Sequence, residues 1–238
     1  MSLIPDKPPF KLLDILYKKE FILFVVLVSI LIINSNISPY FLDLYNLIDS
    51  TFLFSEKAII ALTMTFVIIA RQIDLSVASI IAVSSVVLGY TTSLGYDTWL
   101  VLLLTLLSGA LCGAFNGAII TKFAIPSIIV TIGTMSLFRG LAYSFLEDSY
   151  YNKFPKLVGK LGGGYLYGYI PYAFLTFILL AFVFAFILHK TSVGKKIYSI
   201  GNNPDAAQYT GIAVDKYTFV LFTPVSYTHL TLPTTYHV

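Results

Sequence analysis

Apolar runs separated by short polar stretches dominate this chain. Six of them approach the length of about 20 residues that a helix needs to cross a hydrocarbon layer. They are roughly Phe21–Ile37, Phe52–Ala70, Leu75–Thr92, Trp99–Thr121, Ser127–Leu146 and Tyr169–Leu188. The pattern predicts an all-α, polytopic transmembrane helical bundle with about six spans.

The joint between the second and third runs is unusually short, because it holds only Arg71, Gln72, Ile73 and Asp74. The two runs therefore form either a tight hairpin or one element that is broken inside the membrane. On a helix, Arg71 and Asp74 would share a face. Charges at membrane depth normally face a bundle interior or a water-filled cavity. A pore lining or hinge and an ordinary pair at headgroup level both fit this spacing.

Composition agrees with a membrane protein. The chain is 57% hydrophobic and 11% charged, with a mean hydropathy of +0.84, whereas soluble domains carry about 25% charged residues. Its net charge of +3 is too small and too dispersed to indicate nucleic-acid binding. The single cysteine, Cys112, excludes an internal disulfide and a CxxC metal cluster. We therefore expect no metal site.

The distribution of lysine and arginine predicts a cytoplasmic N-terminus. With that orientation the inner side collects Lys7, Lys11, Lys18, Lys19, Arg71, Lys122, Lys190, Lys195, Lys196 and Lys216. The outer side receives fewer basic residues, and acidic residues dilute them. No small-residue cleavage site follows Phe21–Ile33, which favours an uncleaved first membrane helix over a signal peptide.

A polar segment, Lys190–Lys216, follows the last apolar run, and we call it the island. Six crossings from a cytoplasmic N-terminus place it in the cytoplasm. Pro204 suits a first helical position, with Asn202 or Asn203 as the N-cap. Asp205 would then lie in the first turn, where a carboxylate favours the positive helix end.

The rest of the island favours contact with another protein. Ala206 and Ala207 have no bulk, so that a partner's surface can approach, and Gly211 can end the helix. A generic amphipathic surface helix is the alternative to a docking element.

Two further membrane runs hold candidate residues. Gly109, Gly113 and Gly117 recur every four residues with Asn116 beside them, a face that lets another helix approach closely. Packing is favoured there over direct substrate contact. Arg139 lies within the fifth run and either snorkels to the outer interface or lines a translocation path.

The last residues break the membrane pattern. Val225–Thr235 resembles the in-frame translation of a common sequencing-library adapter. We therefore expect a permease domain at residues 1–223 and a non-native tail at residues 224–238, in a chain truncated at its C-terminal end. Such a tail is excluded from fold reasoning.

Several strings in order resemble the permeases of bacterial monosaccharide ABC importers, the ribose, xylose, rhamnose and autoinducer-2 group. The strings are Ile73–Ser79, Gly109–Gly117, Ile125–Thr134, Thr191–Asn203 and Ala206–Ile212. Arg71-Gln72 replaces the paired small residues of that family, and Ala78 replaces its usual glycine.

The resemblance implies a permease subunit that forms the pathway of an ATP-driven, binding-protein-dependent sugar importer in the bacterial inner membrane. It implies a cytoplasmic ABC ATPase, a second permease copy or paralogue, an extracytoplasmic sugar-binding protein and membrane lipid as partners. The chain has no phosphate-binding loop, so that it is expected not to be an enzyme, with no cofactor of its own and ATP-Mg on the ATPase. Residues Glu147–Leu166 would face the binding protein.

The resemblance also assigns candidate residues to roles. The residues expected to contact the ATPase are Gly201, Asn202, Asp205, Ala206, Ala207 and Gly211. The candidate pore or hinge residues are Arg71, Asp74, Ser76, Asn116 and Arg139, and the candidate helix-packing residues are Gly109, Gly113 and Gly117.

Two other classes of protein are weighed against the importer. A stand-alone secondary transporter or channel would need intramembrane acidic residues for ion coupling, and the predicted spans after Asp74 contain none before the loop at Glu147 and Asp148. An integral-membrane enzyme would want clustered His, Asp or Glu at membrane depth. Residues 135–143 and the tyrosine-rich outer loop favour a rhamnose-like or autoinducer-2-like substrate.

Overall fold

The structure is a computed structural model, and it describes residues 19–146, 151 and 154–223. The tail predicted at residues 224–238 and part of the predicted Glu147–Leu166 surface lie outside the described residues. The chain divides into two units, residues 1–49 and 50–238. The first holds α1 (Lys19–Ile37) and the beginning of α2 (Leu44–Ile69).

The second unit continues α2 and contains the other elements. Its longer helices are α3 (Val77–Ser93), α4 (Thr98–Phe123), α5 (Ser127–Leu146) and α7 (Tyr172–Lys190). Its short elements are α6 (Lys156–Gly163), β1 (Tyr165–Leu166), β2 (Ile170–Pro171), α8 (Ser192–Asn202), α9 (Pro204–Tyr209) and α10 (Val214–Phe222).

Five of the described helices are long and apolar enough to cross a membrane, namely α1, α2, α4, α5 and α7. The helix α3 is apolar but shorter, with 17 residues. The all-α polytopic fold predicted from the apolar runs is therefore confirmed. The last predicted span, Tyr169–Leu188, is shifted, because a small hairpin occupies its first residues and α7 begins at Tyr172.

That hairpin pairs Tyr165 with Pro171 and Leu166 with Ile170. Tyr167 and Gly168 have φ values of +51° and +78°, and the Tyr169 N–H donates to the Leu166 carbonyl at 3.1 Å. Positive φ at both central residues is the type I′ geometry that matches strand twist. The turn leads the chain from α6 directly into α7.

The interior of the second unit lies where α3 packs against α4 and α5, and where α10 packs against α4. One apolar cluster joins Val67 of α2, Val77 of α3, Ile120 of α4, Val130 of α5 and Phe222 of α10. Five helices contribute to this cluster, which therefore holds them together near the α2–α3 joint.

Candidate functional site

The α2–α3 joint begins with a sharp helix stop. Arg71 has φ +59°, and its N–H donates to the Ile68 carbonyl at 3.0 Å, while the Gln72 N–H donates to that of Val67 at 3.0 Å. This left-handed stop normally holds glycine, because a Cβ there costs about 1–2 kcal/mol. Arg71 therefore occupies a backbone position that glycine would adopt without strain.

The joint itself, residues 70–76, is not helical. The expectation that Arg71 and Asp74 would share a helix face is wrong, because the left-handed turn at Arg71 ends α2. Arg71 is exposed, whereas Asp74 is 3% exposed. The two charges therefore lie in different environments.

Asp74 and Ser76 form a tight local turn. The Asp74 Oδ1 atom accepts hydrogen bonds from the Ser76 N–H at 2.8 Å and the Ser76 hydroxyl at 2.6 Å. Burial raises the pKa of Asp74 above its ordinary value, and the two hydrogen bonds from Ser76 oppose that shift. The turn immediately precedes α3, which starts at Val77.

Two neighbouring helices are tied to this turn. Asn116 Nδ2 of α4 donates to the Ser76 hydroxyl oxygen at 2.8 Å. The Ile73 N–H donates to the Ser127 hydroxyl oxygen of α5 at 3.0 Å, and the Thr131 hydroxyl donates to the Ile73 carbonyl at 3.3 Å. We call these six residues, Ile73, Asp74, Ser76, Asn116, Ser127 and Thr131, the polar knot.

The polar knot brings together three strings that are distant in the sequence, those around Asp74, Asn116 and Ser127. Ser127 and Thr131 were missed as site residues by sequence reasoning. Their spacing of four within an apolar run, on one face of a helix, is the pattern that could have identified them.

Two acceptor atoms in the polar knot, Asp74 Oδ2 and Asn116 Oδ1, have no hydrogen-bond partner among the described residues. A buried unsatisfied acceptor costs about 1–3 kcal/mol. Both atoms can accept hydrogen bonds from hydroxyl groups. Within the described ranges, no three His, Cys, Asp or Glu side chains are grouped to hold a metal ion.

The island folds as α8, α9 and the start of α10 against the end of α2. Ile197 and Ile200 of α8 and Ala207 of α9 join Ala70 and Leu221 in one apolar cluster. A Cβ on Gly201 would overlap the Ile69 carbonyl oxygen. The island therefore packs against Ile69 and Ala70, the two residues that precede the left-handed turn at Arg71.

Short-range hydrogen bonds shape the outer edge of the island. Asn203 is the N-cap of α9, since its Oδ1 atom accepts from the Ala206 N–H at 3.1 Å. At the other end Gly211 has φ +86°, and the Ile212 N–H donates to the Ala207 carbonyl at 3.1 Å. This is the glycine-terminated helix end that the sequence pattern indicates.

The residues predicted to contact an ATPase fall on two sides of the island. Gly201 and Ala207 face the bundle, whereas Asn202, Asp205, Ala206 and Gly211 are exposed. The Tyr209 side chain, which sequence reasoning did not select, is 92% exposed beside them. An exposed tyrosine at the end of a short helix suits a protein contact, because it offers a large area at a low entropy cost.

The glycine face of α4 receives α10. A Cβ on Gly113 would overlap the Phe222 carbonyl oxygen, and one on Gly117 would lie 3.1 Å from the Phe219 carbonyl oxygen. Gly109 is also buried. Arg139 lies elsewhere, at an exposed position of α5.

Known permeases resemble this chain. The chain is 31% identical over 213 residues to the autoinducer 2 import system permease protein LsrD of Klebsiella pneumoniae, covering 85% of this chain and 63% of the relative. It is 32% identical over 203 residues to the ribose import permease protein RbsC of Haemophilus influenzae, covering 84% and 62%.

It is also 34% identical over 164 residues to the autoinducer 2 import system permease protein LsrC of Escherichia coli O9:H4, covering 69% of this chain and 48% of the relative. The chain thus spans less than two thirds of the length of these relatives. No solved structure matches it. A family model described as "branched-chain amino acid transport system / permease component" matches residues 46–227. The chain therefore belongs to this family of membrane permease components.

Proposed function

We propose that the chain is a permease subunit of an ATP-driven, binding-protein-dependent sugar importer. The observation that carries this proposal is the island, which has one edge packed on the end of α2 and the other exposed. A polytopic protein with such an element can pass a conformational change from a soluble partner to its spans. The names of the relatives support import as the direction of transport.

The exposed edge would dock on the cytoplasmic ABC ATPase, which supplies ATP-Mg. Asn202, Asp205, Gln208 and Tyr209 lie on this edge. A second permease copy or paralogue would complete the pore, and the sugar-binding protein would deliver substrate on the opposite side of the membrane.

The inner edge offers a direct mechanical connection to the pore. Because Gly201 touches the Ile69 carbonyl, a shift of the island presses on the last turn of α2. The next residues lead through Arg71 into the polar knot, which is bonded to α4 and α5. For ATP to drive transport, the ATPase must bind the two positions of the island with different free energies.

The substrate proposed is a small sugar of the autoinducer-2, rhamnose or ribose kind. Relatives named for autoinducer 2 and ribose import support this class. A ligand screen on the binding protein encoded beside this gene would test it. Binding of amino acids and not of sugars would overturn the substrate assignment.

Substitution of Gly211 by leucine in the full-length protein tests the docking role. Its φ of +86° strains any side chain with a Cβ, while nothing lies within 4 Å of a Cβ there. The expected result is loss of uptake or of ATPase recovery while the helices still insert. Gly140→Leu, at an open position on α5 without positive φ, is the matched control. Normal uptake together with normal recovery of the complex would contradict docking through the island.

A stand-alone ion-coupled transporter is the second candidate, and it rests on Asp74, a buried carboxylate with one unpartnered oxygen. The two functions differ in their energy source. Uptake that persists after deletion of the ATPase gene and collapses with the ion gradient would favour the second candidate.

A further inference from the structure

The bend between α7 and α8 carries three basic residues within seven positions of the sequence. His189 and Lys190 end α7, and Lys195 lies in α8, and all three are exposed. We call these three residues the basic elbow. The neighbouring Lys196 is already engaged, since its Nζ atom donates to the Tyr217 hydroxyl oxygen at 2.9 Å and lies 5.3 Å from the ring centroid.

The charge of this region is entirely positive. No Asp or Glu occurs between Tyr172 and Pro204, so that no acidic neighbour in this segment neutralises the lysines. The N-terminus of α8, at Ser192, adds the positive end of a helix at the same bend. His189 Nδ1 bonds the Ala185 carbonyl at 2.9 Å, which leaves Nε2 available to a ligand. The elbow therefore favours an anion.

An apolar stripe on α7 leads directly to the elbow. Phe182, Val183 and Phe186 are 73%, 43% and 62% exposed, and together with His189 and Lys190 they line a shallow groove. Their spacing places them on one face of the helix. Because α7 is long and apolar enough to span the membrane, this face lies at hydrocarbon depth and the elbow lies at headgroup depth.

We propose that the basic elbow binds the phosphate of an anionic phospholipid from the leaflet on the side of the island, with an acyl chain lying along the stripe on α7. Clusters of basic residues next to a span attract anionic lipid. The phenylalanines suit an acyl chain better than a second helix, because helix contacts in membranes favour small residues. The lipid would contact the same segment that begins the island, and it would therefore stabilise the seat of the docking element.

The charge of the elbow is tested on the full-length protein in nanodiscs of stated composition. Retention of phosphatidylglycerol against phosphatidylcholine is measured by native mass spectrometry for Lys190→Gln/Lys195→Gln. The matched control is Lys156→Gln/Lys160→Gln, which removes two exposed lysines of α6, near the other end of α7. We expect preference for phosphatidylglycerol to fall roughly fivefold per lysine removed at the elbow and to be unchanged in the control. Equal losses in both pairs would overturn the site.

The stripe is tested separately by fluorescence. Phe186→Trp is introduced with Trp99→Phe, which removes the single native tryptophan, and quenching by brominated anionic lipid is measured. Strong quenching is expected, and it should weaken when Lys190 and Lys195 are also replaced. Absence of quenching would show that protein covers the stripe, from a second copy or from another helix, and would overturn the proposal.

A third arm separates lipid from free phosphate. Inorganic phosphate is titrated against the retained lipid in detergent. No displacement at millimolar phosphate is expected, since the acyl chain contributes to binding. Full displacement would mean that the elbow is a site for a soluble phosphate. These outcomes do not depend on whether the protein is an importer, because none of the three experiments measures uptake.

Discussion

In the polar knot, three hydrogen bonds join residues 40 to 58 positions apart, whereas the outer edge of the island is shaped by bonds between near neighbours such as Asn203 and Ala206. The knot therefore exists only when α3, α4 and α5 are assembled. The outer edge of the island keeps its local shape without such long-range contacts. Under the proposed importer function, the first region would hold helices together and the second would move as a unit.

The largest effect is expected at Gly201, where the island packs against the last turn of α2, which leads through Arg71 into the polar knot. A Cβ from Gly201→Ala would overlap a backbone oxygen, that of Ile69, and a backbone atom cannot rotate away. We expect packing of the island against α2 to become less favourable by about 1–3 kcal/mol and uptake to fall at least tenfold. Faster hydrogen exchange in α8 and α9 would report the loss of this packing.

The control for that change is Gly133→Ala, because a Cβ on Gly133 meets nothing within 4 Å. It should leave both uptake and hydrogen exchange unchanged. Full uptake by the Gly201 variant would show that the two regions are not mechanically connected there.

An intermediate effect is expected within the polar knot. Asn116→Ala removes the donor to the Ser76 hydroxyl and leaves a gap among fully buried groups. We therefore expect the free energy of unfolding to fall by about 1–3 kcal/mol. The matched control is Ser108→Ala, also on α4, whose hydroxyl donates to the Thr105 carbonyl of the same helix. A loss of the same size in both variants would show that the hydrogen bond from Asn116 contributes no more to stability than a bond within one helix.

The smallest effect is expected on the outer edge of the island. Asn203→Ala removes the N-cap of α9, which typically costs about 1 kcal/mol. Hydrogen exchange should speed up in α9 alone and not in α3, α4 or α5. Asn202→Ala, one residue earlier and exposed, is the control and should change little. Faster exchange throughout the bundle would contradict the local character of the island.

Much of the fold could be predicted because each apolar run is a local property. The runs at Trp99–Thr121 and Ser127–Leu146 correspond closely to α4 and α5, since length and hydropathy decide which segments can cross a membrane. The sequence also limits the N-cap of α9 to two adjacent asparagines, because capping preference is a local property as well. The choice of Asn203 depended on which side chain reaches the Ala206 N–H.

The candidate site was predictable only in part. The orientation of Gly201 and Ala207 depends on the end of α2, which lies far away in the sequence, and no local pattern distinguishes them from the exposed Ala206. The separation of Arg71 from Asp74 depended on a left-handed turn at an arginine, where local preference favours glycine. In both places tertiary packing overrode the local pattern.

The sequence alone determined the order of the apolar runs, the polar break after the last of them and the small residues of α4, because these features depend on composition and spacing. Which helix fills the glycine face, and which distant side chains meet at Asp74, were decided by the tertiary structure. The physical reason is that a hydrogen bond between α4 and the joint, or a backbone contact at Gly113 or Gly201, requires both partners to be placed within a few ångströms. Only the packed bundle brings them that close.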